Sequence, residues 1–423
     1  MKKIWFLWAA LGVVAVLCGF FSPSVKGEKD VELKNKNVAE LFADTEFLEK
    51  FAEEYNAVTK EDDRQFSGKE VEFSCPVTVY PEGHEGVYID FDGENGYMVI
   101  NDENEVVSFE VAGDYPVYRN DESIAEGLSY SIYDGFVYLD ENGETIRAEG
   151  VSLTEELWEK YSGGKVSETA KSKAGGGERG EIFLPDEYVR EKYGTGYSLY
   201  QKNHLTGYDY AEQNDFSIYN KKIGGNTYGE GNCVLSSVYS LMNYLRQCGK
   251  YPLLPKSYET VYFRAAEDKF YTKYKGRTDY SIVKTKNLPK LYYNVRAVAV
   301  NDYGYETEGV NPFVIDKLTE KTGRKFNSKP DATHLVLWSF ESAIKKEVDA
   351  GYPIIWNMAN SAVYGSHTTV VTGYRVYRRQ KKILGIRISE YVKLAELNDN
   401  WNDCAVYFDM GDYKGVGSFV RVR

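Results

Sequence analysis

The sequence predicts an α+β chain: a small β-rich domain, then a larger domain in which one helix packs on an antiparallel sheet. Three observations predict it. Between Glu70 and Ile146, runs such as VEFSCPVTVY, GVYIDF and GYMVI alternate or stay apolar, and DGENG, NDEN and DENGE break them. This is the pattern of strands joined by tight connections. After Cys233, Val234, Leu235, Val238, Leu241, Met242 and Leu245 recur at helical spacing, so that helix can be buried in a core. Further on, HTTVVTGYRVY from His367 and VKLAELNDNW from Val392 read as strands.

Taken in order, residues 1–29 read as a signal peptide or an N-terminal membrane anchor. Lys2 and Lys3 precede an apolar run from Ile4 to Phe21, and the polar SPSVKGEKD follows. A charged start before an apolar run is the layout of a secretory signal. The run of 18 residues is also at the lower edge for spanning a bilayer. Either way the rest of the chain is exported, secreted or anchored at the outer face of the membrane. Residues 30–160 form a helix plus a β-rich domain. Leu41, Phe42, Leu48, Phe51 and Tyr55 mark the helix. Residues 161–180 are a flexible linker, because GGKVSETAKSKAGGGERG has almost no apolar side chain. Such a linker is easily cut, so the N-terminal domain is a candidate pro-region; a permanent docking domain is the alternative. Residues 181–423 are the second globular domain.

Composition narrows the function. A net charge of −13 argues against a nucleic-acid binder, which would need a basic face. An apolar share of 43% is ample for real cores. Of five cysteines, Cys18 lies in the apolar run, leaving Cys75, Cys233, Cys248 and Cys404. These are too few for a disulfide framework; a Cys248–Cys404 bridge is allowed, and nothing requires it. With four histidines and no Cys-x-x-Cys pair, no zinc site and no cofactor are expected. The basic run Arg378, Arg379, Lys381 and Lys382 reads as a solvated hairpin tip.

Chemistry concentrates in three blocks. Cys233 follows a Gly-Glu-Gly-Asn turn and opens the helical pattern. There the positive end of the helix dipole favours a thiolate. His367, 134 residues later, opens a strand and can take the proton and return it to a leaving group. Asn398 and Asp399 lie further on, and either can orient the imidazole. Each block also has a structural reading. Cys233 could be a buried helix cysteine, His367 a satisfied strand histidine, and Asn398 and Asp399 turn formers.

The segment from Gln213 to the C-terminus resembles the papain-like cysteine peptidases of bacteria, in particular the bacteriocin-leader-processing and streptopain-like groups. The resemblance rests on Cys233 with Met242 and Tyr244 on its helix, on SHTTVVTGY, and on Asp399 two residues before Trp401. It implies a papain-like catalytic domain, a peptide or protein substrate and a thioester intermediate. It implies an oxyanion donor in Gln213, 20 residues before Cys233. It leaves Asp399 and Asn398 both open as the third member. A transglutaminase-like acyl transferase or amidase, and a non-catalytic binding protein on the same scaffold, are the competing readings.

Overall fold

The computed structural model describes residues 37–423 apart from 59–64, 81–82, 94, 112–128, 133–134, 140–144, 149–150, 153–183, 211–221, 224–225, 265–284, 306–309, 336–339, 362 and 414–415. The signal or anchor, the 161–180 linker and Gln213 therefore lie outside the described residues. Among the described residues no helix is long and apolar enough to cross a membrane.

The described residues begin with two helices, α1 (Val38–Phe42) and α2 (Thr45–Val58). Asn37 starts α1 by accepting a hydrogen bond from the Ala39 amide at 3.1 Å, as a polar N-cap does. Phe42 and Phe51 are fully buried and meet edge to face at 4.9 Å; Phe51 also packs on Phe66 and Phe109. This aromatic cluster joins the helices to the strands below, a geometry that favours ring edges against ring faces.

Those strands are β1 (Val71–Tyr80), β2 (His84–Phe91), β3 (Tyr97–Ile100) and β4 (Glu105–Glu110), paired antiparallel in sequence order. Their limits follow the alternating runs read from the sequence. The short strands β5 (Ser129–Ser131), β6 (Gly135–Leu139), β7 (Thr145–Ala148) and β8 (Val151–Ser152) follow. Next come α3 (Pro185–Tyr193), β9 (Ser198–His204), β10 (Lys222–Ile223), β11 (Asn226–Gly231) and α4 (Cys233–Gln247). A hairpin of β12 (Thr260–Arg264) and β13 (Thr285–Pro289) leads into α5 (Lys290–Asp302) and α6 (Ile315–Arg324). The last third holds β14 (Ala332–Leu335), α7 (Lys346–Asp349), β15 (Ile354–Ser361), β16 (Gly365–Ile383), β17 (Ile386–Asn398), β18 (Val406–Asp409) and β19 (Val416–Val422).

The architecture is mixed α and β around one large sheet, in which the order β14-β19-β15-β16-β17-β4-β3-β2-β1-β5-β6-β7 is continuous. Residues 37–423 form one compact unit. The N-terminal strands thus extend the sheet of the C-terminal ones through a parallel pairing of Glu105 and Val106 with Arg387 and Ile388. The Glu105 side chain is buried at this joint. It accepts from Ser389 Oγ and, at 3.0 Å, from Gln380 Nε2. In β15, Trp356 is fully buried and packs on Phe408, Tyr413 and Phe419.

The basic run is not a solvated tip. The hairpin turns at Leu384 and Gly385, and Arg378–Lys382 lie within the arm of β16, paired with β17. Arg379 and Lys381 both pair with Glu390 across the strands, and Arg379 and Arg378 stack on Tyr197 and Tyr200. Cross-strand carboxylate and ring partners let these cations sit in a ladder. Cys75, Cys233, Cys248 and Cys404 are all free thiols.

Removing the buried carboxylate at the joint leaves two polar groups unpaired. Glu105→Ala is expected to destabilise the chain by roughly 1–3 kcal/mol. Urea unfolding, read as a lower midpoint at unchanged slope, checks this.

Candidate active site

The helix α4 is a core helix whose first residue is partly exposed and whose last two, Arg246 and Gln247, emerge from the core. Val234 to Leu245 are all buried, while Cys233 stays partly exposed. Its far end closes with the amides of Gly249 and Lys250 returning to Arg246 O and Leu245 O, both at 2.9 Å. Gly249 takes φ +75° there, the left-handed C′ residue that such an ending requires. At the near end Asn232 occupies the cap position, yet its side chain caps nothing. Its Oδ1 instead accepts from the Tyr305 hydroxyl at 2.5 Å. The first amides of the helix are thereby left available to the Cys233 sulfur. Burial pushes the thiol up, and hydrogen bonds from the Thr368 and Val234 amides, the Thr368 side chain and its own amide work against that.

His367 stands near the start of β16, opposite Met358 of β15. It is buried against two rings that also touch each other, Trp401 at 4.3 Å and Tyr364 at 5.6 Å between centroids. Its Nε2 lies 2.7 Å from the main-chain carbonyl of Asp399. A carbonyl only accepts, so Nε2 carries the hydrogen and Nδ1 is the basic nitrogen. Burial holds the imidazole well below the ordinary histidine value, at about 4, opposed by the Asp399 carbonyl. Burial thus disfavours the charged form of both side chains.

The Asp399 carboxylate faces its own loop. It accepts from the amides of Trp401 and Asn402, both at 3.0 Å, and from Asn402 Nδ2 at 2.8 Å. Burial raises its pKa, and these bonds oppose the shift. The Asn398 Oδ1 accepts from the Asn400 amide at 3.2 Å. Its Nδ2 lies beside the buried Tyr208 hydroxyl without closing a hydrogen bond. The contact made to His367 therefore comes from the main chain of residue 399, while the side chains at 398 and 399 shape the turn.

One residue that the sequence reading passed over ties these parts together. Asn400 is fully buried and takes φ +62°, a left-handed conformation that asparagine tolerates better than most residues. Its Nδ2 donates to Ser237 Oγ at 2.8 Å, to Thr368 O at 2.9 Å and, more weakly, to Cys233 O at 3.4 Å. Ser237 Oγ itself donates to Thr368 O at 3.2 Å. The first turn of the Cys233 helix is thus bonded to the residue after His367. Among the described residues no hydrogen bond joins Cys233 to His367 directly. The only sequence signal for Asn400 was the Asn-Asp-Asn turn itself.

Residues 205–384 match the model of the Peptidase_C39 like family. This segment is similar to the papain-like cysteine peptidases of bacteria. The C39-like segment carries Cys233 and His367 and ends in the β16–β17 turn, before Asn398, Asp399 and Asn400. No curated protein and no solved structure matches the chain.

Two outcomes are expected. Asn400→Gly keeps the backbone conformation and loses the bridge, at a cost of roughly 1–3 kcal/mol. Asn400→Ala adds about 1–2 kcal/mol for the left-handed backbone. Chemical denaturation of both variants measures the two contributions. The second outcome concerns acid. The unfolded chain takes a proton on residue 367 near pH 6.5, while the folded chain resists until about 4. The stability held above pH 6.5 is lost as pH falls through that window, by on the order of 3 kcal/mol. His367→Gln is expected to flatten this part of the stability–pH curve, measured by unfolding midpoints from pH 7 to pH 4.

Proposed function

We propose that the chain is an exported cysteine peptidase in which Cys233 attacks a peptide carbonyl and forms a thioester. The observation that carries this reading is the hydrogen-bonded link between the first turn of the Cys233 helix and the strand of His367. The link fixes a candidate nucleophile and a candidate base on elements tied by Ser237 and Asn400. With burial disfavouring the charged form of both side chains, proton transfer from sulfur to His367 Nδ1 accompanies attack. The Asp399 carbonyl then faces an imidazolium whose Nε2–H it already accepts, which steadies the charge. His367 returns the proton to the leaving amine, and water hydrolyses the thioester. The amides at the start of α4 face the developing oxyanion. The family likeness supports Gln213 as a second oxyanion donor, worth about 10²–10³ in rate in sites of this kind.

Export is part of the same proposal and rests on Lys2, Lys3 and the apolar run Ile4–Phe21. The role of residues 30–160 is a separate matter. Glu105 and Val106 pair at the closed end of the β16–β17 hairpin, far along the strand from His367, whereas Val151 and Ser152 pair with Val416 and Gly417 of β19, and Gly417 is opposite Met358, itself opposite His367. The segment thus meets the C-terminal strands both at the hairpin tip and near the site, and a pro-region and a permanent docking domain are the two readings of it.

Cys233→Ala is expected to abolish cleavage of a peptide library while leaving the unfolding transition in place. Cleavage by the variant at the wild-type rate would defeat the assignment. Amine incorporation without hydrolysis would favour an acyl transferase instead.

A further inference from the structure

The residue before Cys233 is held from outside its helix. Asn232 occupies the cap position of α4 with a helical backbone, φ −74° and ψ −8°, and its side chain reaches no helix amide. Two other asparagines at cap positions behave differently. Asn37, before α1, and Asn311, before the single turn Pro312–Val314, take ψ of 110° and 125°, and each side chain accepts from the amide two residues on, at 3.1 and 2.9 Å. That is what an asparagine cap normally does. What sets Asn232 apart is the Tyr305 hydroxyl, which donates to its Oδ1 at 2.5 Å. Both side chains are buried. The phenol reaches it by a fixed route. α5 lies against α4, with the rings of Tyr292 and Tyr239 edge to face at 6.0 Å between centroids. Just past α5, Gly304 takes φ +66°, which glycine allows, and the amides of Tyr303 and Tyr305 both return to Ala299 O at 3.1 Å. This turn brings Tyr305 to the start of α4.

We propose that Tyr305 is a positioning residue, which draws the Asn232 side chain away from the helix start and so keeps the Val234 and Leu235 amides open to the negative charge of the reaction. Those two amides, the second and third of α4, are the ones an asparagine cap would take. Cys233 is the first residue of the helix, so a charge on its sulfur meets the positive end of the dipole and the amides left uncapped there. Tyr305 acts through Asn232 alone, and the hydroxyl trades the stability of a capped helix for a start that can receive an anion. The inference rests on the reading of Cys233 as the nucleophile, but its test does not need turnover.

The test is alkylation of the full chain by iodoacetamide from pH 5 to pH 10, with the rate at Cys233 followed by mass spectrometry of its peptide and the exposed Cys248 as internal control. Tyr305→Phe releases the Asn232 side chain to cap α4. It is expected to slow alkylation at Cys233 about fivefold on the rising limb and move the inflection to higher pH, with the unfolding midpoint near wild type. Asn232→Ala combined with Tyr305→Phe removes the capping side chain as well, and is expected to bring the Cys233 profile back to wild type. Where the double variant lacks the wild-type unfolding transition, Asn232→Gly takes the place of Asn232→Ala. A Tyr305→Phe profile that superimposes on wild type overturns the inference. So does a double variant as slow as Tyr305→Phe, which would make the hydroxyl a packing group, and so does a Tyr305→Phe chain without the wild-type unfolding transition. A chain that cleaves no peptide yet shows the Tyr305 effect and its reversal would remove the peptidase reading alone.

Discussion

The carbonyl of Thr368 accepts from Ser237 on the helix and from Asn400 on the loop, and through it the three segments that carry the site are held as one body. Strand pairing between β16 and β17 reaches Val370 and Asn398 and stops. Beyond that point the ladder has no further rung, and an orphaned carbonyl at this depth would be costly. The left-handed turn at Asn400 supplies the missing donor from a side chain. The same turn leaves the Asp399 carbonyl directed at His367, so satisfying the sheet's last acceptor and orienting the imidazole are one event.

The electrostatics of the site follow from its enclosure. His367 is buried against Trp401 and Tyr364, which disfavours the imidazolium, and burial also disfavours the thiolate. Charge separation at rest is thus opposed from both sides. What favours it is a set of neutral donors aimed at sulfur and one acceptor aimed at Nε2. Asn232 contributes indirectly: by giving its Oδ1 to Tyr305, it leaves the helix start uncapped.

The strands from Val71 to Glu110 and the helix from Cys233 were legible because each shows its own periodicity locally. Cys233 and His367 were legible as types in a setting. The length of the β16–β17 hairpin was not, because Arg379 and Lys381 look like solvated residues until Glu390 is placed across from them. Nor was Tyr305, which is brought to Asn232 only by the turn at Gly304. Asn400 was hidden for another reason. The eye goes to the carboxylate beside it, while the turn needs an amide that tolerates positive φ.

The imidazole is held by a peptide group, and every amino acid carries the same peptide group. The identity of residue 399 is therefore chemically separable from the service it performs at the ring. What must persist is the shape of the loop, written in Asn398, Asn400 and Asn402 around it. Kinship between such sites would show in backbone conformation where the letters at this position disagree. The C39-like segment ends at the tip of the β16–β17 hairpin, so the loop that grips the histidine lies beyond it, where a chain can be rewritten freely while its backbone shape is kept.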